Sequence, residues 1–484
     1  MSFGTVLNTL GWILVFFAAA MVLPAVIGLG YREFAEAATF GAAALLALFV
    51  AGGLIMATRG AVRRIGRREG FLLAVAGWTG LPVFGALPLY FGGAVDDPAD
   101  AYFEALSGLT TTGATILTAV DETARSLVFW RAEMQWIGGL ATIILALALL
   151  SHIGFSGRIL YRSAMPQGER DTLALRLAYS VRSIWWIYAF LTALCAVLLW
   201  LAGMPGFDAV GYAFSTVSSG GFSTRSGSVA AFDNVWIELV LVVFMVVAAV
   251  NFTLHWALFH GRPGAYRSDP EFRYFVVLAV AATVVLAVLL FVGAGYDGAA
   301  ALRHGLFNAI SVLTTTGFAS VSDAGDWPPV GPFLLLVLLL VGGSTMSTAG
   351  GLKLMRLALL FKLGGRELAR LAHPHGVVRL RYGGQLVAEP AMRVVWSFFA
   401  LYMGSIAAVA LIVTGQGIEF RQAVTVAAAA LANAGPAYDL IAGGAGGYAV
   451  LPAGVKWTLA AAMVLGRLEL FLLLTLISPA FWSR

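Results

Sequence analysis

Long apolar runs, separated by short polar segments, follow one another along the whole chain. An apolar helix of roughly 20 residues is long enough to cross the hydrocarbon core of a bilayer. Ten runs reach that length, near residues 5–29, 37–58, 71–93, 129–155, 183–203, 235–259, 273–294, 331–361, 392–414 and 455–480. The pattern predicts an all-α, polytopic membrane protein with ten transmembrane helices, the first retained in the membrane rather than cleaved as a signal peptide.

Four shorter stretches lie between these spans, and each ends in small polar residues and glycine. They are Ala101–Thr112, Asp208–Ser219, Leu302–Thr316 and Arg421–Ala434. A helix of about a dozen residues is too short to cross the membrane, and it suits a re-entrant helix that enters from one side and stops partway. The sequence therefore predicts four re-entrant pore helices.

The ends of these four stretches form an internal repeat. Ser107–Thr115, Ser215–Ser223, Ser311–Ala319 and Leu431–Pro436 align on one glycine each. The aligned residues are Gly113, Gly221, Gly317 and Gly435, which are 108, 96 and 118 positions apart. The repeating unit is a span, a pore helix and a second span. It predicts four repeats, at 71–160, 161–265, 266–375 and 376–484, after an additional helix pair at 1–70.

The composition supports a membrane protein and excludes other classes. Charged residues make up 11% of the chain and the mean hydropathy is +0.88, whereas a soluble domain has roughly 25% charged residues. A surface so poor in charge excludes a cytosolic enzyme and a nucleic-acid-binding protein as the main interpretation. Cys195 is the single cysteine, so the chain has no internal disulfide and no cysteine metal site.

The charges favour one orientation in the membrane. With both termini in the cytoplasm, the inner segments carry 22 of the 30 basic residues, and the outer segments carry 17 of the 25 acidic ones. Because basic residues are enriched in cytoplasmic loops, the sequence predicts this orientation. Acids at the outer mouth would concentrate cations at the entrance. The acids concerned are Asp96, Asp97, Asp100, Asp121, Glu122, Asp323 and Asp326.

The ends of the four repeats have the composition of a carbonyl-lined ion site. Non-helical backbone at membrane depth is tolerated only where it is buried in protein or lines a water-filled path. Glycine lets a carbonyl turn toward an axis without a Cβ clash, and the C-terminal end of a short helix carries the negative end of its dipole. Four such ends around one axis would form a ring of carbonyl oxygens that replaces the hydration water of an ion.

With these motifs, the chain from about residue 71 onward resembles the TrkH/TrkG/KtrB family of bacterial potassium uptake subunits, within the Trk/Ktr/HKT superfamily. The additional N-terminal helix pair resembles the TrkH branch. The resemblance implies a multi-pass protein of the bacterial inner membrane, in which four non-identical repeats surround a pseudo-fourfold pore for K⁺. It places the selectivity filter at Thr111, Thr112, Gly113, Ser219, Gly220, Gly221, Thr315, Thr316, Gly317, Asn433, Ala434 and Gly435.

The filter segments depart from the TVGYG pattern of potassium channels. Only one aligned glycine per repeat remains, the second repeat reads Ser-Gly-Gly, and the fourth reads Asn-Ala-Gly-Pro. The family that the chain resembles has the same departures from the TVGYG pattern. The degree of selection of potassium over sodium therefore stays open.

The eighth span is interrupted at mid-membrane by four glycines and four hydroxyl residues, and the tenth span contains an arginine. The structural alternative for the interrupted span is a site of close helix packing. For the arginine, it is a side chain that extends to the inner membrane interface. An arginine in a span costs at least about 2.5 kcal/mol, so it should face a partner or a water cavity. The resemblance implies an intramembrane gate below the filter. Its residues are Gly342, Gly343, Ser344, Thr345, Ser347, Thr348, Gly350, Gly351 and Arg467.

These observations predict uptake of potassium through a channel-like pore. A secondary transporter that couples potassium to proton or sodium entry is the alternative, and within the predicted spans Glu469 is the carboxylate it could use. No catalytic constellation or GxxxxGK[ST] motif is present, so no organic cofactor is expected and nucleotide control must come from another chain. The resemblance implies a cytosolic TrkA/KtrA-type nucleotide-binding ring and a homodimer in lipid, with no nucleic-acid partner.

Overall fold

The structure, a computed structural model, describes residues 2–61, 66–150, 173–321, 327–374, 376, 379–443 and 446–482. Several residues that entered the charge analysis lie outside these ranges, as does the inner end of the fourth predicted span. They are Arg63, Arg64, Arg158, Arg162, Arg170, Asp323, Asp326 and Arg484.

The N-terminal helix pair consists of three helices, because the first predicted span is divided. It contains α1 (Phe3–Ala20), α2 (Val22–Tyr31) and α3 (Phe34–Ala57). The break between α1 and α2 lies at Met21, where Pro24 has no N–H to donate to the carbonyl of Ala20. Both halves pack against α3.

The helices of the first two predicted repeats follow in chain order. They are α4 (Arg67–Phe91), α5 (Pro98–Leu109), α6 (Arg125–Leu150), α7 (Leu173–Leu201), α8 (Gly206–Val217), α9 (Val235–Ala249), α10 (Phe252–Phe259) and α11 (Gly264–Ser268), with 3₁₀ turns at Val120–Glu122 and Ser228–Phe232.

The second half of the chain has the same order of long and short helices. Its helices are α12 (Pro270–Gly293), α13 (Gly298–Leu313), α14 (Val330–Val341), α15 (Leu354–Ala372), α16 (Glu389–Thr414), α17 (Phe420–Leu431), α18 (Ala437–Ala442), α19 (Ala453–Arg467), α20 (Leu470–Ile477) and α21 (Pro479–Trp482). Between α15 and α16, β1 (Arg381–Tyr382) and β2 (Gln385–Leu386) form an antiparallel hairpin, with Tyr382 opposite Gln385.

A multi-pass helical membrane protein is confirmed, but four predicted spans are not continuous helices, and the first of these is the span divided at Met21. Among the described residues, six helices are long and apolar enough to cross a membrane, or seven if the bent pair α9 and α10 is one span. That pair bends by 100° at Val250 and Asn251. The eighth span is broken between α14 and α15, and the tenth between α19 and α20. The small β-hairpin is the departure from an all-α fold within the described ranges.

The four short helices α5, α8, α13 and α17 begin and end earlier than predicted. The residues predicted to form their last turn are not helical. Each packs against the span before it and the span after it. Each also contacts one span of the neighbouring unit: α6 packs on α8, α9 on α13, α14 on α17, and α19 on α5. The contacts run in a closed cycle, which brings the C-terminal ends of the four short helices together.

Candidate functional site

The four short helices end in the same backbone conformation. Thr111, Ser219, Thr315 and Asn433 have left-handed φ values of 51°, 52°, 56° and 51°. The amide of the next residue in each segment donates to the carbonyl five residues earlier, at 2.9, 2.8, 3.0 and 2.9 Å, which closes the helix end as a Schellman cap. Glycine usually occupies this position, and a non-glycine residue held there stores about 1–3 kcal/mol of strain.

These four left-handed residues present carbonyl groups that the protein does not use. Throughout the part of the chain that the structure describes, no donor bonds to the carbonyl oxygens of Thr111, Ser219, Thr315 or Asn433. All four residues are at most 1% exposed to solvent. Buried carbonyls are normally paired unless a ligand or water satisfies them. One set of four equivalent carbonyls is therefore available to a cation.

The four segments adjoin one another in order. A Cβ on Gly113 would collide with the Gly220 carbonyl, and a Cβ on Gly221 would collide with the Thr316 carbonyl. Gly317 lies beside Pro436, and the Gly435 amide donates to the Thr112 carbonyl at 2.6 Å. The predicted filter residues of all four repeats thus meet in one ring.

The fourth segment differs from the other three. Gly113, Gly221 and Gly317 have φ values of 77°, 80° and 84°, whereas Gly435 is not among the residues with positive φ. Its carbonyl accepts hydrogen bonds from the Tyr448 hydroxyl at 2.9 Å and from the Tyr438 amide. Because Pro436 follows and starts a short helix, this segment turns away one residue early. The alignment on four glycines therefore overstates the fourfold symmetry of the ring at the position of these glycines.

Polar side chains on three of the four short helices, α5, α8 and α13, bond residues that follow the ring segment. Glu104 accepts from Arg131 at 2.7 Å, from Thr115 at 2.9 Å and from the Ile116 amide at 2.9 Å. At the equivalent positions, nine residues before the aligned glycine, Tyr212 bonds Ser223 at 2.6 Å and Asn308 bonds Ser320 at 2.9 Å. These side-chain hydrogen bonds, called straps below, hold the segments that follow the ring. They leave the four ring carbonyls without a donor.

Residues 342–353 form the intramembrane loop, which joins α14 to α15 below this ring. Its ends close on one another, because the Leu352 amide donates to the Leu340 carbonyl at 3.1 Å and the Lys353 amide to the Val341 carbonyl at 3.1 Å. Residues 342–350 are all buried. The segment is therefore irregular backbone packed entirely inside protein, the one setting in which a membrane protein tolerates it away from water.

The bend between α9 and α10 holds one side of the intramembrane loop. The Ser344 amide donates to the Ala249 carbonyl at 2.9 Å, and the Phe252 amide donates to the Met346 carbonyl at 3.1 Å. The Thr348 amide and hydroxyl both donate to the Ala248 carbonyl, at 3.3 and 3.1 Å. Backbone groups freed by the bend are thus paired with the loop.

The other side of the intramembrane loop touches the ring formed by the four segments. The hydroxyls of Thr348 and Ser219 lie 2.8 Å apart, and the Gly350 amide donates to the Thr315 hydroxyl at 2.7 Å. Gly350 has no room for a side chain, because a Cβ there would overlap the Ala432 carbonyl. The loop therefore occupies the space directly below the ring.

Arg467 joins the intramembrane loop to the ring. Its Nε donates to the Thr110 carbonyl at 2.7 Å, and its Nη1 donates to the Thr348 carbonyl at 3.1 Å. The side chain is 6% exposed, and no carboxylate lies within 4 Å of it among the described residues. Thr110 caps the C-terminal end of α5, where the helix dipole favours positive charge. The guanidinium thus occupies a place that is electrostatically suited to a cation.

Comparisons with known proteins agree with this geometry. A sequence model of the TrkH family, described as a cation transport protein, matches residues 38–484. The chain belongs to the TrkH family. It is 38% identical to the Trk system potassium uptake protein TrkH of Halomonas elongata over 100% of both chains, and 35% identical to TrkG of Escherichia coli K12 over 98% of this chain and 97% of that one. The crystal structure of the potassium transporter TrkH from Vibrio parahaemolyticus matches with a TM-score of 0.92 and 36% identity, and the match covers 100% of both chains.

This family consists of transporters, so the chain is not an enzyme. In this TrkH-family chain, one ion pair and one lysine hydrogen bond lie at the intramembrane loop and the break of the tenth span. Arg356, in the first turn of α15, pairs with Glu469 at 2.5 Å, in the break of the tenth span. The Lys353 ammonium donates to the Ala349 carbonyl. Glu469 is therefore already neutralised by a partner.

Two of the acids that were predicted to lie at the outer mouth are close to basic side chains in this TrkH-family chain. Asp100 pairs with Lys456 at 2.8 Å, and Asp121 lies 3.6 Å from Arg225. Hydrogen bonding from Ser226 lowers the pKa of Asp121, so this carboxylate stays ionised at neutral pH. Asp97 caps α5. The negative field predicted from the summed charge is thus weaker at these positions than the sequence implies.

Three buried polar residues of this TrkH-family site were not singled out from the sequence. Gln135 donates to the Gly220 carbonyl at 2.8 Å, so that filter carbonyl is not free. Glu104 and Glu271 are 0% and 2% exposed, although neither lies in one of the ten predicted spans. The nine-residue spacing to an aligned glycine could have revealed Glu104. No local pattern marks Glu271, because its partners lie on the intramembrane loop and α15.

Proposed function

We propose that the chain is the ion-conducting subunit of a bacterial potassium uptake system and works as a gated, channel-like pore. The single observation that carries the proposal is the set of four free, buried carbonyls at Thr111, Ser219, Thr315 and Asn433. The relatives reported above are named potassium uptake proteins, which supports K⁺ as the transported ion.

In this proposal, a dehydrated cation enters the ring because backbone carbonyls take the place of its hydration water. The negative dipole ends of α5, α8, α13 and α17 add to the attraction. The strained left-handed residues keep the carbonyls directed inward, while the straps at Glu104, Tyr212 and Asn308 resist collapse. No side chain has to change its charge during transport.

The same proposal assigns the closed state to the intramembrane loop and Arg467. The loop lies below the ring, and the guanidinium places a fixed positive charge beside the path of an emerging cation. Transport then requires that both move aside. Ten spans in four repeats with the boundaries given above, and cytoplasmic termini, complete the proposed arrangement in the inner membrane.

The proposed function predicts selective flux through the purified protein. Reconstituted into liposomes with the gate opened, the chain should carry potassium and rubidium faster than sodium. A channel-like pore should also conduct without a proton or sodium gradient. If potassium flux requires such a gradient at fixed membrane potential, coupled transport is correct instead. If no monovalent cation flux exceeds that of empty liposomes, the pore assignment fails.

We also propose a partner, because the inner segments carry 22 basic residues and the chain lacks a nucleotide-binding motif. A cytosolic TrkA/KtrA-type ring should dock on this face, and the chain should form a homodimer. Native mass spectrometry in detergent should show two chains, with a further mass increase when the ring protein is added. A mass of one chain that does not change on addition contradicts both parts.

A further inference from the structure

The Glu271 carboxylate connects the two ends of the intramembrane loop. One oxygen, Oε1, accepts hydrogen bonds from the Thr345 amide at 2.7 Å, the Thr345 hydroxyl at 3.1 Å and the Met355 amide at 3.1 Å. Within the described residues, no lysine or arginine nitrogen lies within 4 Å of this carboxylate. A buried carboxyl group without an ionic partner depends on its hydrogen bonds, so these three bonds are what hold the Glu271 side chain in place.

Glu271 also caps a helix on which it does not lie. Met355 is the second residue of α15, whose own N-cap residue, Lys353, has a φ of 73° and makes no side-chain capping bond. A carboxylate at a helix N-terminus is favoured by the helix dipole and by the free amides. The position of α15 relative to α12 therefore depends on a side chain of α12.

We propose that Glu271 is the latch of the gate, a positioning residue that holds the intramembrane loop and the start of α15 in the closed arrangement. The inference rests on the proposed function. Ser219 and Thr315 hold the loop from the filter side, and Glu271 holds it from the opposite side. Because three bonds converge on one oxygen, withdrawal of that oxygen removes the anchors of Thr345 and Met355 in one step.

The latch lies next to the β-hairpin between α15 and α16. Gly383, in the turn of the hairpin, packs beside Pro270, the residue before Glu271. Tyr382 is buried in a small apolar cluster with Met355 and Leu359. The hairpin thus contacts the segments on both sides of the bond between Glu271 and Met355. A partner that moves the hairpin would displace the latch.

The first test is basal rubidium influx into proteoliposomes without any regulatory protein. Glu271→Ala should raise the influx by at least about tenfold, the factor that corresponds to about 1.4 kcal/mol in the closing equilibrium. Glu271→Gln retains an acceptor oxygen but not the charge, and should raise it by about threefold. The ratio of potassium to sodium flux should not change, because the filter is intact.

Glu238→Gln is the matched control, since Glu238 is also a buried carboxylate in the first turn of a span, and it pairs with Arg303 away from the loop. Its basal influx should equal that of the wild type. Should Glu271→Ala fail to fold, Glu271→Gln provides the same comparison. Unchanged influx in a folded Glu271 variant overturns the latch.

A second measurement follows the loop itself. In a Cys195→Ala background, which has no other cysteine, Ser347→Cys reports access to the intramembrane loop, where Ser347 is 1% exposed. A membrane-impermeant thiol reagent on the cytoplasmic side should label this position several times faster when Glu271→Ala is added. An equal labelling rate contradicts the latch.

The Arg467→Ala variant, measured in parallel, separates the two levels of the proposal. If Arg467→Ala raises the influx and Glu271→Ala does not, the latch proposal is contradicted and the gate proposal stands. If both variants have wild-type influx, the gate proposal is contradicted as well.

Discussion

Replacement of Arg467 by alanine should open the pore in the absence of any regulator. The change removes the bonds to the Thr110 and Thr348 carbonyls and the positive charge beside the path. A hydrogen bond of a charged group contributes about 1.5–3 kcal/mol. Basal rubidium influx into liposomes should therefore rise by about ten- to hundredfold, since about 1.4 kcal/mol is a factor of ten.

The potassium-to-sodium ratio of Arg467→Ala should stay close to the wild-type value, because the ring carbonyls are unchanged. Deletion of part of Gly343–Gly350 should have the same effect on influx. Arg366→Ala is a suitable control, since Arg366 pairs with Glu367 and Glu389 and belongs to neither the loop nor the ring. If Arg467→Ala and the deletion fold but conduct no faster than the wild type, the gate lies elsewhere.

Replacement of Gly113 or Gly221 by alanine should abolish selective transport. Both residues have a left-handed φ, and a Cβ at either position would overlap the carbonyl of the next segment in the ring. The left-handed conformation alone costs a non-glycine residue about 1–2 kcal/mol. Relief of the overlap requires the neighbouring carbonyl to move, so the ratio of potassium to sodium flux should fall at least about tenfold.

Gly404→Ala provides the matched control for the filter variants, because Gly404 lies within α16 and has no atom near a built Cβ. Flux should be measured in an open-gate background, so that a closed pore is not mistaken for a damaged filter. Wild-type flux and ion ratios in folded Gly113→Ala and Gly221→Ala would show that these segments do not select the ion.

The sequence predicts best those features that are encoded locally. Apolar length alone predicted a multi-pass helical protein but not the breaks within four of the spans, and the repeated Ser/Thr–Gly segments follow directly after the ends of the short helices. The left-handed conformation of Thr111 and Thr315 was not predicted, because a threonine is an unusual residue for it. The structure shows this conformation as part of a helix cap that recurs at equivalent positions of the four segments.

Features that depend on distant partners could not be predicted. Asn251 lies within the predicted sixth span, yet it caps α10 by accepting from the Thr253 amide, and the chain bends there. The bend is stable because the intramembrane loop, about a hundred residues later, pairs the freed backbone groups. Glu271 likewise acquires its role only when α15 is packed beside it.

The cycle of helices has a consequence for biogenesis. Its closing contacts join residues more than 300 positions apart: Asn433 to Thr112, Lys456 to Asp100, and Arg467 to Thr110. A nascent chain in which α19 has not yet been synthesised has an incomplete wall around the ring. Long-range contacts of this kind are slow to form. In the proposed function, the wall of the path is therefore completed by the same helix that carries Arg467, and an unfinished chain would lack both.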